Sequence, residues 1–118
     1  MRVYIAGPYT ADTEEERLAN ALRAIDAGIE VYRLGHIPYI PHLSHWLDKR
    51  ATEIGQPLEW EDYMKIGIEW LGMCDAFIYL DSSKGTDIEL YYAVKELDLK
   101  IYTSVEGFRN DVESGIIF

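Results

Sequence analysis

The chain has 118 residues, 48% apolar and 27% charged, which suits one folded domain over 1–118 and excludes a disordered segment over most of its length. A formal net charge of −10 repels a polyphosphate backbone and an anionic membrane surface, so neither a nucleic-acid polymer nor a membrane is an expected partner. The single cysteine, Cys74, excludes an internal disulfide, and the apolar run in MRVYIAGPYT is too short for a signal peptide, so a cytoplasmic location is expected.

Residues 3–6, VYIA, are apolar on both faces and read as a buried strand ending at Gly7-Pro8. Thr13 and Glu16 then form a capping box, with Glu14 and Glu15 suited to the positive end of a helix. Leu18, Ala21, Leu22, Ile25, Ile29 and Tyr32 recur at helical spacing, which predicts the buried stripe, and Gly35 stops the helix. HIPYI (36–40) is a second strand, placed at a sheet edge because Pro38 cannot donate to a ladder. Residues 41–57 are mixed and read as a short helix and a loop.

Trp60, Tyr63, Met64, Gly67, Trp70, Leu71 and Cys74 recur at helical spacing and read as core. DAFIYLD (75–81) is the clearest strand, TDIELYYAVKELD (86–98) a helix and KIYTSV (100–105) another strand, with a short strand expected over GIIF (115–118). Strands alternating with helices predict an α/β domain with a four- to five-stranded, mainly parallel sheet. Ligands in such sheets sit outside the carboxyl ends of the strands, which here means the loops AGPYTAD and DSSKGTD.

The second loop supports two readings. Thr86-Asp87-Ile88-Glu89 is itself a capping box, in which Glu89 reaches back to the helix start and Gly85 makes the turn. Alternatively, Ser83, Gly85, Thr86 and the first helical N–H groups cradle an anion or hydroxyl. Counting 100° per residue around a stripe of Leu90, Ala93, Val94 and Leu97 places Glu89 at the stripe's edge, near the crevice. A carboxylate there can act as a nucleophile toward an oxocarbenium-like carbon.

YIAGPYT followed by DAFIYLDSSKGTDIELYYAV resembles the nucleoside 2-deoxyribosyltransferase superfamily, which includes the 2'-deoxynucleoside 5'-phosphate N-hydrolases. The Ser-x-Gly-x-x-x-Glu spacing, met by Ser83, Gly85 and Glu89 and followed by Ala93, carries the resemblance, with Tyr4, Gly7 and Asp75 also fitting. It implies a flavodoxin-like, Rossmann-like three-layer sandwich and chemistry at an N-glycosidic bond. Glu89 would attack the anomeric carbon beside Tyr4, expelling the base and leaving a glycosyl-enzyme that water or a second base resolves. Ser83 and Gly85 would hold the 5' end of the sugar or its phosphate. No metal or redox cofactor is implied. Relatives assemble as dimers or larger homo-oligomers with a neighbour closing the pocket, and nine tyrosines fit a subunit contact, so a homodimer is expected.

The chain departs from that pattern at one position. An acid that helps the base leave is expected where Gly67 stands, so the role passes to Asp62, Glu69, Asp81 or His42. Without that acid, a silent nucleoside-binding or sensor module of the same fold is the alternative. The first loop is acidic and Lys84 is the cation beside the cradle, which favours a nucleoside over a nucleotide. Gly7, Pro8 and Tyr9 line the first loop, with Tyr9 available for stacking on a base or sugar. His36, His42 and His45 lack the spacing and partners of a zinc site.

Overall fold

A computed structural model describes residues 1–117. Four parallel strands, β1 (Arg2–Ala6), β2 (Ile37–Tyr39), β3 (Ala76–Tyr79) and β4 (Lys100–Tyr102), form one sheet in the order β2-β1-β3-β4. Five helices connect and cover them: α1 (Glu14–Arg33), α2 (Ser44–Glu53), α3 (Trp60–Leu71), α4 (Lys84–Lys95) and α5 (Val105–Glu113). The pleat sends alternate residues to opposite faces. Val3, Ile5, Ala76 and Ile78 pack with Ala24, Ala27 and Val31 of α1 and Phe108 of α5, while Tyr4, Ala6 and Phe77 pack with Leu71 of α3 and Ala93 of α4. The result is the three-layer flavodoxin-like sandwich, with its switch point between β1 and β3.

β2 takes the edge position expected from Pro38, whose partner in the ladder is Val3. Gly35 follows α1 with φ of +91°, a conformation that glycine adopts without a Cβ clash.

Three expectations are corrected. The buried face of α1 is Ala21, Ala24, Ala27, Gly28 and Val31, whereas Leu18, Leu22, Ile29 and Tyr32 are exposed. Small residues win because the helix lies close to its neighbours: a Cβ on Gly28 would stand 2.3 Å from Ile40 Cδ1. The segment 100–105 is a strand only to Tyr102, since Ser104 accepts from Gly107 N at 3.0 Å and starts α5, which the sequence reading missed. No strand forms over 115–117, where Gly115 turns the chain at φ of +78°, and Phe118 lies outside the described residues. Among the described residues, no helix is long and apolar enough to cross a membrane.

Candidate active site

Tyr4 lies on the face of β1 that meets α3 and α4 and is fully buried. Its hydroxyl donates a hydrogen bond to Glu89 Oε2. Glu89 is only 8% exposed and sits in the middle of the buried face of α4, between Thr86 and Ala93, rather than at its edge; Val94, expected in that stripe, is exposed. Burial pushes the Glu89 carboxyl up from 4.5 to about 7, and the Tyr4 hydroxyl partly opposes this by donating to the ionised form. Burial and then the neighbouring Glu89 raise the Tyr4 phenol well above its usual range. Gly67 of α3 closes against this pair: a Cβ there would stand 2.8 Å from Tyr4 Oη and 3.0 Å from Glu89 Oε2.

The capping-box reading of Thr86 and Glu89 is corrected. α4 begins at Lys84, capped by Ser83, whose Oγ accepts from Thr86 N at 3.1 Å and shares a 2.7 Å hydrogen bond with Thr86 Oγ1. Glu89 is thereby in the second turn, too far along to reach its own helix start, and its carboxyl turns to β1 instead. Gly85 is helical rather than a turn residue. Its missing side chain leaves room for Met64, whose Sδ would be 3.2 Å from a Cβ.

Glu89 borders a cavity of about 910 Å³ at the carboxyl end of the sheet. That volume is in the range of sites that enclose a small organic molecule. Gly7, Tyr9, His42, Ser83, Gly85 and Thr86 all line it with Glu89, so most of the residues selected from the sequence converge. The first N–H groups of α4, those of Lys84 and Gly85, have no intrahelical partner and stand on the same rim. Lys84 Nζ lies 4.7 Å from the ring centre of Trp60, another wall residue.

Four other predicted residues are placed differently. Tyr4 is not on the cavity wall but lies beneath Glu89. Pro8 contributes its carbonyl, which accepts from His42 Nε2 at 3.1 Å. Asp62 is taken up at the start of α3, accepting from Glu59 N at 2.8 Å, and faces a separate shallow groove with Glu69 and Trp70. Asp81 pairs with Arg23 at 3.7 Å and accepts from Ser82 N, also away from the cavity. His42 reaches the wall, but its Nε2–H is committed to the carbonyls of Gly7 at 2.9 Å and Pro8, so it holds the first loop in place. Burial lowers its pKa, with the two carbonyl hydrogen bonds opposing. His36 meets the terminal amine at 2.8 Å and the edge of Phe108.

Several wall residues were not legible beforehand. Arg17 crosses from α1 to the cavity, donating to Ala11 O at 2.8 Å and to Glu14 at 3.3 Å. Tyr63 donates to Asp48 at 3.0 Å, and burial with Asp48 pushes its phenol up to about 12. Tyr9 meets His45 Nδ1 at 2.9 Å, and His45 Nε2 lies 3.3 Å from Glu14 Oε1. Asp48 and His45 come from the segment 41–57, whose mixed composition carries no periodic signal. Trp60, Tyr63 and Met64 have helical spacing, but they border open space instead of a closed core, and Trp70 stacks half-exposed on Tyr39.

Fold and site together define a parallel α/β domain with a buried carboxyl–phenol pair beneath an open crevice. The chain belongs to the family described as a domain of unknown function, DUF4406, whose profile matches residues 1–103. No curated protein and no solved structure matches the chain.

Proposed function

We propose that this protein cleaves or exchanges the N-glycosidic bond of a nucleoside or nucleoside 5'-monophosphate. The observation that carries the reading is the Glu89 carboxyl. Its Oε2 is held by Tyr4, while the side chain borders a cavity large enough for a nucleoside. A desolvated carboxylate with a raised pKa is a better nucleophile than an exposed one. In this reading it attacks the anomeric carbon, the base departs with the bond's electron pair, and water or a second base resolves the glycosyl-enzyme. The sugar's 5' end rests on the Ser83–Thr86 helix start, which suits an oxygen or an anion. The resemblance to the nucleoside 2-deoxyribosyltransferase superfamily supports the same assignment. Arg17 is already engaged by Ala11 and Glu14, so Lys84 is the cation beside that helix start, which favours a nucleoside over its monophosphate.

The test is release of free base from a panel of nucleosides and 5'-monophosphates. The wild-type protein is expected to release base from at least one, and Glu89→Ala to do so about a thousandfold more slowly. Equal release by the two proteins rejects the assignment. One observation favours a second reading, a silent binding module: Gly67, against Glu89, brings no acid to the pair. Calorimetric binding of a nucleoside without turnover would select it.

The protein is further proposed to act as a homodimer through the outer face of α1. Leu18, Leu22, Ile29 and Tyr32 are exposed there and flank the half-buried Ile25, a stripe about 21 Å long. An antiparallel two-fold pairing about Ile25 sets Leu18 against Tyr32 of the partner subunit. It also brings Glu15 toward Arg33 of the partner subunit, so the flanking charges are complementary. Light scattering at micromolar concentration is expected to give the mass of two chains for the wild type and of one for Ile29→Lys. A wild-type monomer overturns the pairing.

A further inference from the structure

We infer that Tyr9 is the acid that protonates the departing base, supplied with its proton through His45 and Glu14; this rests on the reading of Glu89 as nucleophile. A base leaving as an anion is a poor leaving group, so the cavity needs a proton donor. The donors suggested by spacing are used elsewhere. Asp62 and Glu69 face the separate groove, Asp81 is turned outward to Arg23, and the Nε2–H of His42 is held by Gly7 and Pro8. Gly67 has no side chain, and even a Cβ there meets Tyr4 and Glu89. The Tyr63 hydroxyl is directed to Asp48.

Tyr9 borders the cavity that Glu89 borders. Behind it, its hydroxyl meets His45 Nδ1 at 2.9 Å; His45 is 2% exposed and does not reach the cavity, and its Nε2 lies 3.3 Å from Glu14 Oε1. Glu14 is exposed to water and is also held by Lys49 at 3.3 Å and by Arg17. The three groups therefore form a line from solvent, through a buried imidazole, to a phenol on the cavity wall. The proposed acting form carries protons on both ring nitrogens, Nε2–H facing Glu14 and Nδ1–H facing Tyr9. The Nδ1–H then donates to the Tyr9 oxygen and frees the hydroxyl hydrogen to point into the cavity. As the bond between the anomeric carbon and the base nitrogen breaks, its electron pair passes to the base. The base takes the Tyr9 proton, and Tyr9 takes the Nδ1 proton of His45. His45 is left neutral with Nε2–H on Glu14, and a proton from water recharges it. Tyr9 is the catalytic residue of this line; His45 and Glu14 act through it.

The test compares leaving groups. Guanosine and 2'-deoxyguanosine need protonation of the base, whereas their N7-methylated cations release a neutral base without it. Tyr9→Phe is expected to lose about 100-fold in rate on the unmethylated nucleosides and less than about threefold on the methylated ones. Glu14→Gln, at a surface position where folding is not at stake, is expected to show the same split at smaller amplitude. An equal loss on both substrate types, or no loss, overturns the inference, as does the split appearing in Asp48→Asn instead. If Glu89→Ala releases base as the wild type does, or the wild type releases base from no nucleoside of the panel, the nucleophile reading fails and takes this inference with it. If Glu89→Ala is inactive on both types and Tyr9→Phe shows no split, only the role of Tyr9 fails.

Discussion

Glu89→Gln is expected to stabilise the protein at neutral and alkaline pH while removing the nucleophile. The folded-state pKa of Glu89 is about 7 against 4.5 for the free group, with burial as the main cause. A raised carboxyl pKa means that the folded state keeps a proton the unfolded chain has already lost. The stability from this group is therefore fully present below pH 4.5, declines as pH rises, and is lost once pH passes about 7. The shift corresponds to roughly 3 kcal/mol at most. Glutamine does not ionise, and its amide oxygen can still accept from the Tyr4 hydroxyl. The difference in unfolding free energy between variant and wild type should thus be small near pH 5 and grow to a few kcal/mol in favour of the variant by about pH 8. Urea midpoints across that range measure it. A variant less stable than the wild type at every pH would place the carboxylate in a stabilising role, such as the helix cap that the sequence also allowed.

Gly67→Ala is expected to destabilise the fold and to disturb the Tyr4–Glu89 pair together. In an open helix, alanine for glycine gains about 1 kcal/mol. Here the new methyl would stand 2.8 Å from Tyr4 Oη and 3.0 Å from Glu89 Oε2. Tyr4 is fully buried and cannot move aside, and Glu89 can yield only by turning into the cavity, which breaks its bond to Tyr4. Overpacking of this kind costs about 1–3 kcal/mol, which offsets the helical gain and exceeds it when the pair cannot move aside. The expected result is a net loss of about 1–2 kcal/mol and at least a tenfold drop in base release. Gly72→Ala is the control at the end of the same helix. Its Cβ would meet nothing closer than Glu69 O at 3.4 Å, so the fold should tolerate it and the chemistry should not change. If Gly67→Ala raises the urea midpoint, the tight approach of α3 to the pair is wrong.

The two predictions concern residues whose identity was visible in the sequence and whose use was not. Ser83, Gly85 and Glu89 stood out by spacing alone, and they do share one cavity. The same spacing suggested a cap at Thr86, yet Ser83 caps the helix and Thr86 is its partner. A Ser/Thr three residues before a backbone donor occurs three times in that loop, at Ser82, Ser83 and Thr86, so the local pattern was degenerate. Asp62 and Asp81 were chosen for charge and position, and each is used by its immediate neighbours, the start of α3 and the Ser82 amide. The Tyr9–His45–Glu14 line had no sequence signal, because its members lie in three different segments.

By itself the sequence determined the alternation of strands and helices, the parallel sheet, the edge position of β2 and the cap of α1 at Thr13. These follow from local rules: hydrophobic period, the missing amide of Pro38, and hydrogen bonds that span three or four residues. Only the tertiary structure decided which apolar face of α1 is buried and where the Glu89 carboxyl points. The first depends on how closely two layers approach, which favours Ala24 and Gly28 over Leu22 and Ile29. The second depends on β1 lying beside β3 and under α4, so that Tyr4 meets a group 85 positions further along the chain. Distances of that kind have no period in the sequence; they are set when the sheet assembles and its two cores close.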